Sequence, residues 1–199
     1  IITIWILATI TFFLMHAIPG NPFMDQKKVQ PQILENMKKY YGLDKPLIVQ
    51  YFTYMGKLAK GDLGYSIRYK TRTVNGIIKQ AFPYSAHLGL QSLAYGVTIG
   101  LTLGVLAALN HNKAVDYATM VIAVIGVSVP NFIIAGLLQY FLGVKWGIFP
   151  VAQWKGFIYT VLPTIALGTR ILASQARMMR ASTLDVLGQD YIKTAKSKG

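Results

Sequence analysis

Long apolar blocks alternate with shorter polar ones along this chain, and the alternation sets its architecture. A helix crosses a bilayer core with about 20 mostly apolar residues. The first block starts at Ile1, and no charge appears before Asp25. Lys79 and Lys113 bracket 33 uncharged residues, which hold a span over 84–109. Asp116 and Lys145 bracket 28 more, giving a span over 117–141. A fourth stretch, 157–176, is long enough but contains Arg170. The pattern therefore predicts transmembrane helices over 1–19, 84–109, 117–141 and 157–176. Between the first two lies a polar region, 20–82, and after the last a polar tail, 177–199.

The polar region opens with Pro19-Gly20-Asn21-Pro22, a turn signal that stops the first helix. Gln32–Tyr41 and Leu47–Lys60 read as short helices, separated by Gly42-Leu43-Asp44-Lys45-Pro46 and closed by Gly61-Asp62-Leu63-Gly64. Roughly 60 residues make a small helical cap rather than an independent domain.

Composition agrees with a membrane protein. Hydrophobic residues make up 53% and charged residues only 14%, against about 25% charged in soluble domains; mean hydropathy is +0.42. Disorder and a disulfide-stapled secreted fold are excluded by the apolar content and by zero Cys. The net charge of +13 does not indicate nucleic-acid binding, because the basic residues are dispersed between apolar blocks. The first block lacks a basic flank and an A-x-A-like site, so it does not read as a removable signal peptide. With Ile1 at its start and no breaking signal at Gly199, the sequence reads as a piece of a longer membrane protein. Charge does not orient it. Region 20–82 holds eleven Lys/Arg, and the stretch from Arg170 onward holds six against two Asp. Four spans put those two regions on opposite sides, so the positive-inside rule votes for both.

Gly96, Gly100 and Gly104 recur every four residues in the second span, with Gly89 and Ala107 near the same face. Such a face lets another helix approach closely, within the chain, at a subunit interface or along a pore. Pro130 interrupts the third span and predicts a kink, for packing or as a hinge, with Ser128 or Asn131 able to bridge the freed carbonyl. Arg170 either faces protein or water, along a pathway or against another subunit, or snorkels from a shifted span. His87 reads as an interfacial residue, and no metal-ligand spacing is present. There is no G-x-x-x-x-G-K-[ST] phosphate loop, no H-E-x-x-H and no G-x-S-x-G, and the seven acids form no carboxylate pair. Nothing here binds or hydrolyses ATP by sequence pattern.

The tail carries the sharpest signal. At 100° per residue, Gly188, Tyr191, Ile192, Ala195 and Gly199 share one helical face, opposite Asp190, Lys193 and Ser197. A small-residue face with one aromatic anchor suits a protein groove; a basic helix lying on lipid headgroups is the other reading.

At these residues the sequence resembles the permease subunit of bacterial oligopeptide and dipeptide ABC importers, within the binding-protein-dependent transport family. Gln189-Asp190-Tyr191-Ile192-Lys193-Thr194-Ala195-Lys196-Ser197-Lys198-Gly199 is similar to that branch's Tyr-x-[Arg/Lys]-Thr-Ala-x-x-Lys-Gly, a variant of the superfamily's E-A-A-x-x-x-G. Lys193 and Thr194 depart from the general form and match the narrower one. The Pro19–Pro22 turn, Gly42–Leu47, Gln50-Tyr51, Gly61–Gly64, Ser128-Val129-Pro130 and Leu162-Pro163 are similar to family segments in the same order.

The resemblance implies an all-α polytopic membrane protein of the type I ABC importer permease fold, here with about four of six transmembrane helices. It implies an extracytoplasmic 20–82, and a cytoplasmic coupling segment in which Asp190, Tyr191, Lys193, Thr194, Ala195 and Gly199 meet a separate ATPase. Partners would be a second homologous permease, two ABC ATPase subunits carrying ATP and Mg, an extracytoplasmic peptide-binding protein and the lipid of the bacterial inner membrane. Nickel-complex and glutathione importers share the pattern. An ion-coupled secondary transporter would need intramembrane carboxylates, and all seven acids lie outside the expected spans. A membrane anchor would explain the spans but not the tail.

Overall fold

A computed structural model describes residues 2–17, 42, 44–66, 69 and 72–199. The Pro19–Pro22 turn and the expected helix Gln32–Tyr41 lie outside the described residues. The elements are helices throughout: α1 (Ile2–Ala17), α2 (Leu47–Ala59), α3 (Val74–Leu109), α4 (Ala114–Ser128), α5 (Asn131–Leu138) running into a π-helical stretch (Gln139–Lys145), α6 (Ile158–Leu187) and α7 (Asp190–Ser197). Among the described residues the only β pairing is the isolated bridge Tyr65–Thr73. The chain divides into two compact units, 1–82 and 83–199.

In the first unit, α1 and α2 meet through aromatic side chains. Phe12 is buried, with Tyr51 and Tyr54 at ring-centroid distances of 5.5 and 5.6 Å. Thr9 and Tyr51 share a hydroxyl–hydroxyl hydrogen bond of 2.9 Å, and His16 Nε2 lies 3.1 Å from Gln50 Oε1. Gly61-Asp62-Leu63-Gly64 closes α2 as a tight turn. Both glycines stand at φ +77°, the region glycine occupies without a Cβ clash. Asn75 ties this turn to the start of α3: its Oδ1 accepts from the Leu63 N–H at 2.8 Å.

The second unit is organised around α6. The glycines of α3 lie against its backbone. A Cβ at Gly96 would meet the Gly168 carbonyl oxygen at 2.9 Å, one at Gly100 the Leu172 oxygen at 2.7 Å, and one at Gly104 the Ala176 oxygen at 2.7 Å. Both helices advance in steps of four, so α3 and α6 run parallel. Gly168 completes the contact from the other side, under the Tyr95 ring and the Ser92 carbonyl. Gly89, by contrast, has nothing near its Cβ position and stands exposed. A second face of α6 takes α4 in the opposite direction. Gly126 lies against Thr169 and Ala173, while Asp116 reaches Arg180.

Three expectations are modified. The stretch 117–141 is not one kinked helix. It is interrupted at Val129-Pro130, and the two halves meet at 109°. Pro130 stands at the N-cap of α5 with φ −58° and ψ 137°. Its missing N–H therefore interrupts no continuous helix, and the carbonyls left open are those at the end of α4 rather than one freed within a kinked helix for Ser128 or Asn131 to bridge. Likewise α6 does not stop near Ala176 but continues through Arg177 to Leu187. The tail helix α7 covers 190–197, so Gly188 and Gly199 fall outside it. Among the described residues, α3 is by length and composition sufficient to cross a membrane, and α4 with α5 and its π-helical end is so as a bent pair.

The packing yields a direct test. Gly100→Leu drives a side chain into the α6 backbone, which cannot yield as a rotamer can; overpacking of this kind costs about 1–3 kcal/mol. Gly89→Leu meets open space. Thermal unfolding of the full-length protein in detergent is expected to show a lowered midpoint for Gly100→Leu and none for Gly89→Leu. Equal midpoints would mean that α3 does not seat on α6.

Candidate functional site

Two features of the second unit have the geometry of a working part: a polar knot where the α3–α4 turn meets α6, and the projecting helix α7.

The knot centres on Asp116, in the first turn of α4 and before its apolar stretch. Its side chain is 3% exposed. Arg180 donates to it twice, Nε to Oδ1 at 2.5 Å and Nη2 to Oδ2 at 2.7 Å. The Asn112 N–H donates to Oδ2 at 3.0 Å. Asn112 adopts φ +61°, a left-handed conformation that Asn tolerates better than most residues, and this aims its N–H at the carboxylate. His111 Nδ1 lies 3.2 Å from both Asp116 Oδ2 and Arg180 Nη2. One tautomer donates to the carboxylate, the other accepts from the guanidinium.

The Arg180 hydrogen bonds hold the Asp116 carboxyl well below the usual carboxylate range. Burial opposes this, while the Asn112 N–H, the Arg180 charge and His111 reinforce it. Arg180 is correspondingly raised by Asp116. A bidentate guanidinium–carboxylate fork fixes orientation as well as distance.

Beyond the knot α6 ends at Gly188, and Gln189 starts α7 in an extended conformation. Asp190 and Lys193 pair across 2.9 Å on the surface, with side chains 95% and 67% exposed, a pair of little energetic weight. The Thr194 hydroxyl donates to the Asp190 carbonyl at 2.9 Å. Tyr191, 62% exposed, and Ala195 lie on the face away from Asp190 and Lys193. Gly199 stands at φ +101° beyond the helix. Of the other residues singled out from sequence, Arg170 is exposed on α6 and is not gathered into the knot or α7. His87 sets its ring edge-on to Trp154 at 5.8 Å. Among the described residues no group of His, Cys, Asp or Glu could hold a metal ion.

Sequence reasoning missed the knot. Asp116 and Arg180 are 64 residues apart, and each alone reads as a charge flanking a span. The available signal was an acid directly before an apolar stretch, followed by an arginine beyond the next span.

A family model described as "Binding-protein-dependent transport system inner membrane component" matches residues 100–199. Its N-terminal companion model matches residues 1–89. The chain belongs to this family. The resemblance read from the tail is borne out, as is the all-helical membrane fold. Within the binding-protein-dependent transport family, similar proteins include the dipeptide transport system permease protein DppB of Bacillus subtilis, 44% identical over 197 residues. The oligopeptide transport system permease protein OppB of Haemophilus influenzae is 41% identical, and DppB of Lactococcus lactis 38%. Each alignment covers 99% or more of this chain but only 64–65% of the relative. These relatives are transport permeases, not enzymes.

The knot predicts a pH dependence. Asp116 is depressed in the folded state, so its contribution is present above the unfolded carboxylate pKa of about 3.9. It is lost as pH falls below that value. The midpoint difference between wild type and Asp116→Asn seen at neutral pH is expected to shrink below about pH 4. A difference that persisted undiminished down to about pH 3 would contradict the ion pair.

Proposed function

We propose that this chain is the transmembrane permease of an ATP-driven importer that carries dipeptides or oligopeptides across the bacterial inner membrane by alternating access. The observation that carries this is the match over essentially its whole length to permeases named for dipeptide and oligopeptide transport. No nickel or glutathione permease is needed to account for it. In the reading, a second homologous permease completes the pathway, and a peptide-binding protein delivers substrate. Two ATPase subunits supply ATP and Mg, and the chain itself takes part in no bond-breaking step.

The basic residues of the second unit orient it. The end at which α3 finishes and α7 projects gathers Lys113, Arg177, Arg180, Lys193, Lys196 and Lys198; the opposite end has Lys145 and Lys155. The positive-inside rule puts the α7 end in the cytoplasm, where the ATPases are. Region 20–82 is then extracytoplasmic despite its basic charge, as loops near 60 residues tolerate.

The mechanism follows from the elements. Tyr191 and Ala195 present a shallow face with one aromatic anchor, the surface an ATPase groove would take, with Asp190, Lys193 and Thr194 shaping its flank. ATP-driven closure of the two ATPases displaces α7, and α6 carries the displacement to the helices packed on it. Pro130, at the 109° break, is a hinge position, and Arg170 is a candidate lining of the pathway.

Ala195→Glu is the cleaner test of the docking face than Gly199→Glu, because Gly199 stands at positive φ and any side chain there also strains the backbone. In the full-length protein, Ala195→Glu is expected to insert normally but to recover at least tenfold less ATPase in a pull-down. Lys196→Gln, on the flank, recovers wild-type amounts. Equal recovery from wild type and Ala195→Glu would sink the coupling assignment; equal loss from both variants would reduce it to a general charge effect.

A further inference from the structure

Coupling by α6 poses a mechanical problem that the knot addresses. The last buried residue of α6 is Ala176. From Arg177 to Leu187 the helix runs on with no buried residue, and α7 hangs from its end. A force applied at α7 therefore acts through an arm of about three turns. Van der Waals contacts at the glycines hold the packed part of α6 close to α3 but oppose bending or twisting of the arm only at its root.

The knot lies where a brace would have to be. Arg180 is one turn past Ala176. Its guanidinium is held in a two-bond fork by a carboxylate on the neighbouring helix α4, and among the described residues no other Lys/Arg–carboxylate pair joins two helices. The carboxylate is itself immobilised. It is buried, and it accepts from the Asn112 N–H on the α3–α4 turn, which is bent into a left-handed conformation to supply that bond. Three backbone segments thus converge on one anion: the end of α3, the start of α4 and the root of the α6 arm. A buried ion pair is poor evidence of added stability, since desolvation offsets much of the attraction; its better-attested use is to specify one arrangement.

We propose that Asp116 and Arg180 are positioning residues for transport coupling, bracing the α6 arm to the α3–α4 turn so that movement of α7 displaces α3, α4 and α6 as one body. The inference rests on the importer reading above and adds a residue-level device to it. A purely structural pair would affect yield and thermal stability, whereas a brace sets how much transport each ATP delivers.

The test uses the full-length permease assembled with its ATPase subunits and binding protein in proteoliposomes. Radiolabelled dialanine and trialanine are the transport probes, and phosphate release is measured in parallel. The readout is peptide transported per ATP hydrolysed, which cancels differences in yield and assembly. Asp116→Asn keeps shape and removes the charge; it is expected to lower the ratio at least fivefold while ATP hydrolysis continues. Arg180→Lys keeps the charge, loses the fork and should fall between. Asp185→Asn, an exposed carboxylate on the same arm, should match wild type. In parallel, spin labels at Lys113→Cys and Ser182→Cys should keep one distance with and without ATP and vanadate in the wild-type background. That distance should broaden in Asp116→Asn. An unchanged ratio in Asp116→Asn and Arg180→Lys would overturn the brace, as would a distance that shifts freely in the wild-type background. Failure of the wild-type assembly to transport either peptide on ATP would instead refute the importer reading.

Discussion

The close approach of α3 to α6 is the constraint on which the second unit depends. Three glycines on α3 and one on α6 bring two backbones together where any Cβ would collide with a carbonyl oxygen or a ring. In a membrane there is little hydrophobic gain from helix association, so contact area and dispersion must come from such fit. The four-residue step common to both helices makes the fit extend over two turns and fixes their relative register. With α3 seated on one face of α6, α4 takes another through Gly126, and the α3–α4 turn is carried to the height of Arg180.

That arrangement explains why a charged knot is tolerable beside an apolar bundle. Asp116 is desolvated, but its two oxygens face a guanidinium, a backbone N–H and an imidazole. Among the described residues no buried side-chain polar atom lacks a partner. The glycine contact sets distance and register, and the knot restrains rotation and leverage at the end where α6 leaves the bundle. Beyond it, α7 keeps its charges on one side and Tyr191 with Ala195 on the other.

Much of this was legible in the sequence, and the exceptions have physical causes. Apolar blocks located α3 and α4 because a bilayer imposes a length, and the spacing of Gly96, Gly100 and Gly104 marked a close-packed face without naming the helix on it. Gly89 satisfied the same periodicity yet meets nothing, because angular position says nothing of how far along two helices stay in close contact. Pro130 signalled a disturbance, but a proline inside an apolar run does not tell a kink from a full break with a new N-cap. The end of α6 was misplaced because Arg177 and Arg180 look like a span boundary, whereas a helix continues past the apolar stretch as long as its backbone bonds are made. The Asp116–Arg180 pair was invisible, since neither residue carries a local pattern and only the fold brings them together. The tail motif placed the chain in its family because it is a dense set of residue identities rather than a periodicity.

α3 and α6 lie parallel and in contact, glycine against backbone, and cysteine cross-linking tests this most directly, in a chain whose 199 residues carry no cysteine. Gln91 on α3 and Thr164 on α6 face each other, with Thr164 Oγ1 3.3 Å from Gln91 Oε1, so cysteines at these positions meet without entering the glycine contact. Leu90, one residue earlier on α3, is exposed at 67%. A short bifunctional thiol reagent is expected to cross-link Gln91→Cys with Thr164→Cys, and not Leu90→Cys with Thr164→Cys. Absence of the first cross-link with both thiols still open to alkylation, or equal yields from the two pairs, would contradict the account.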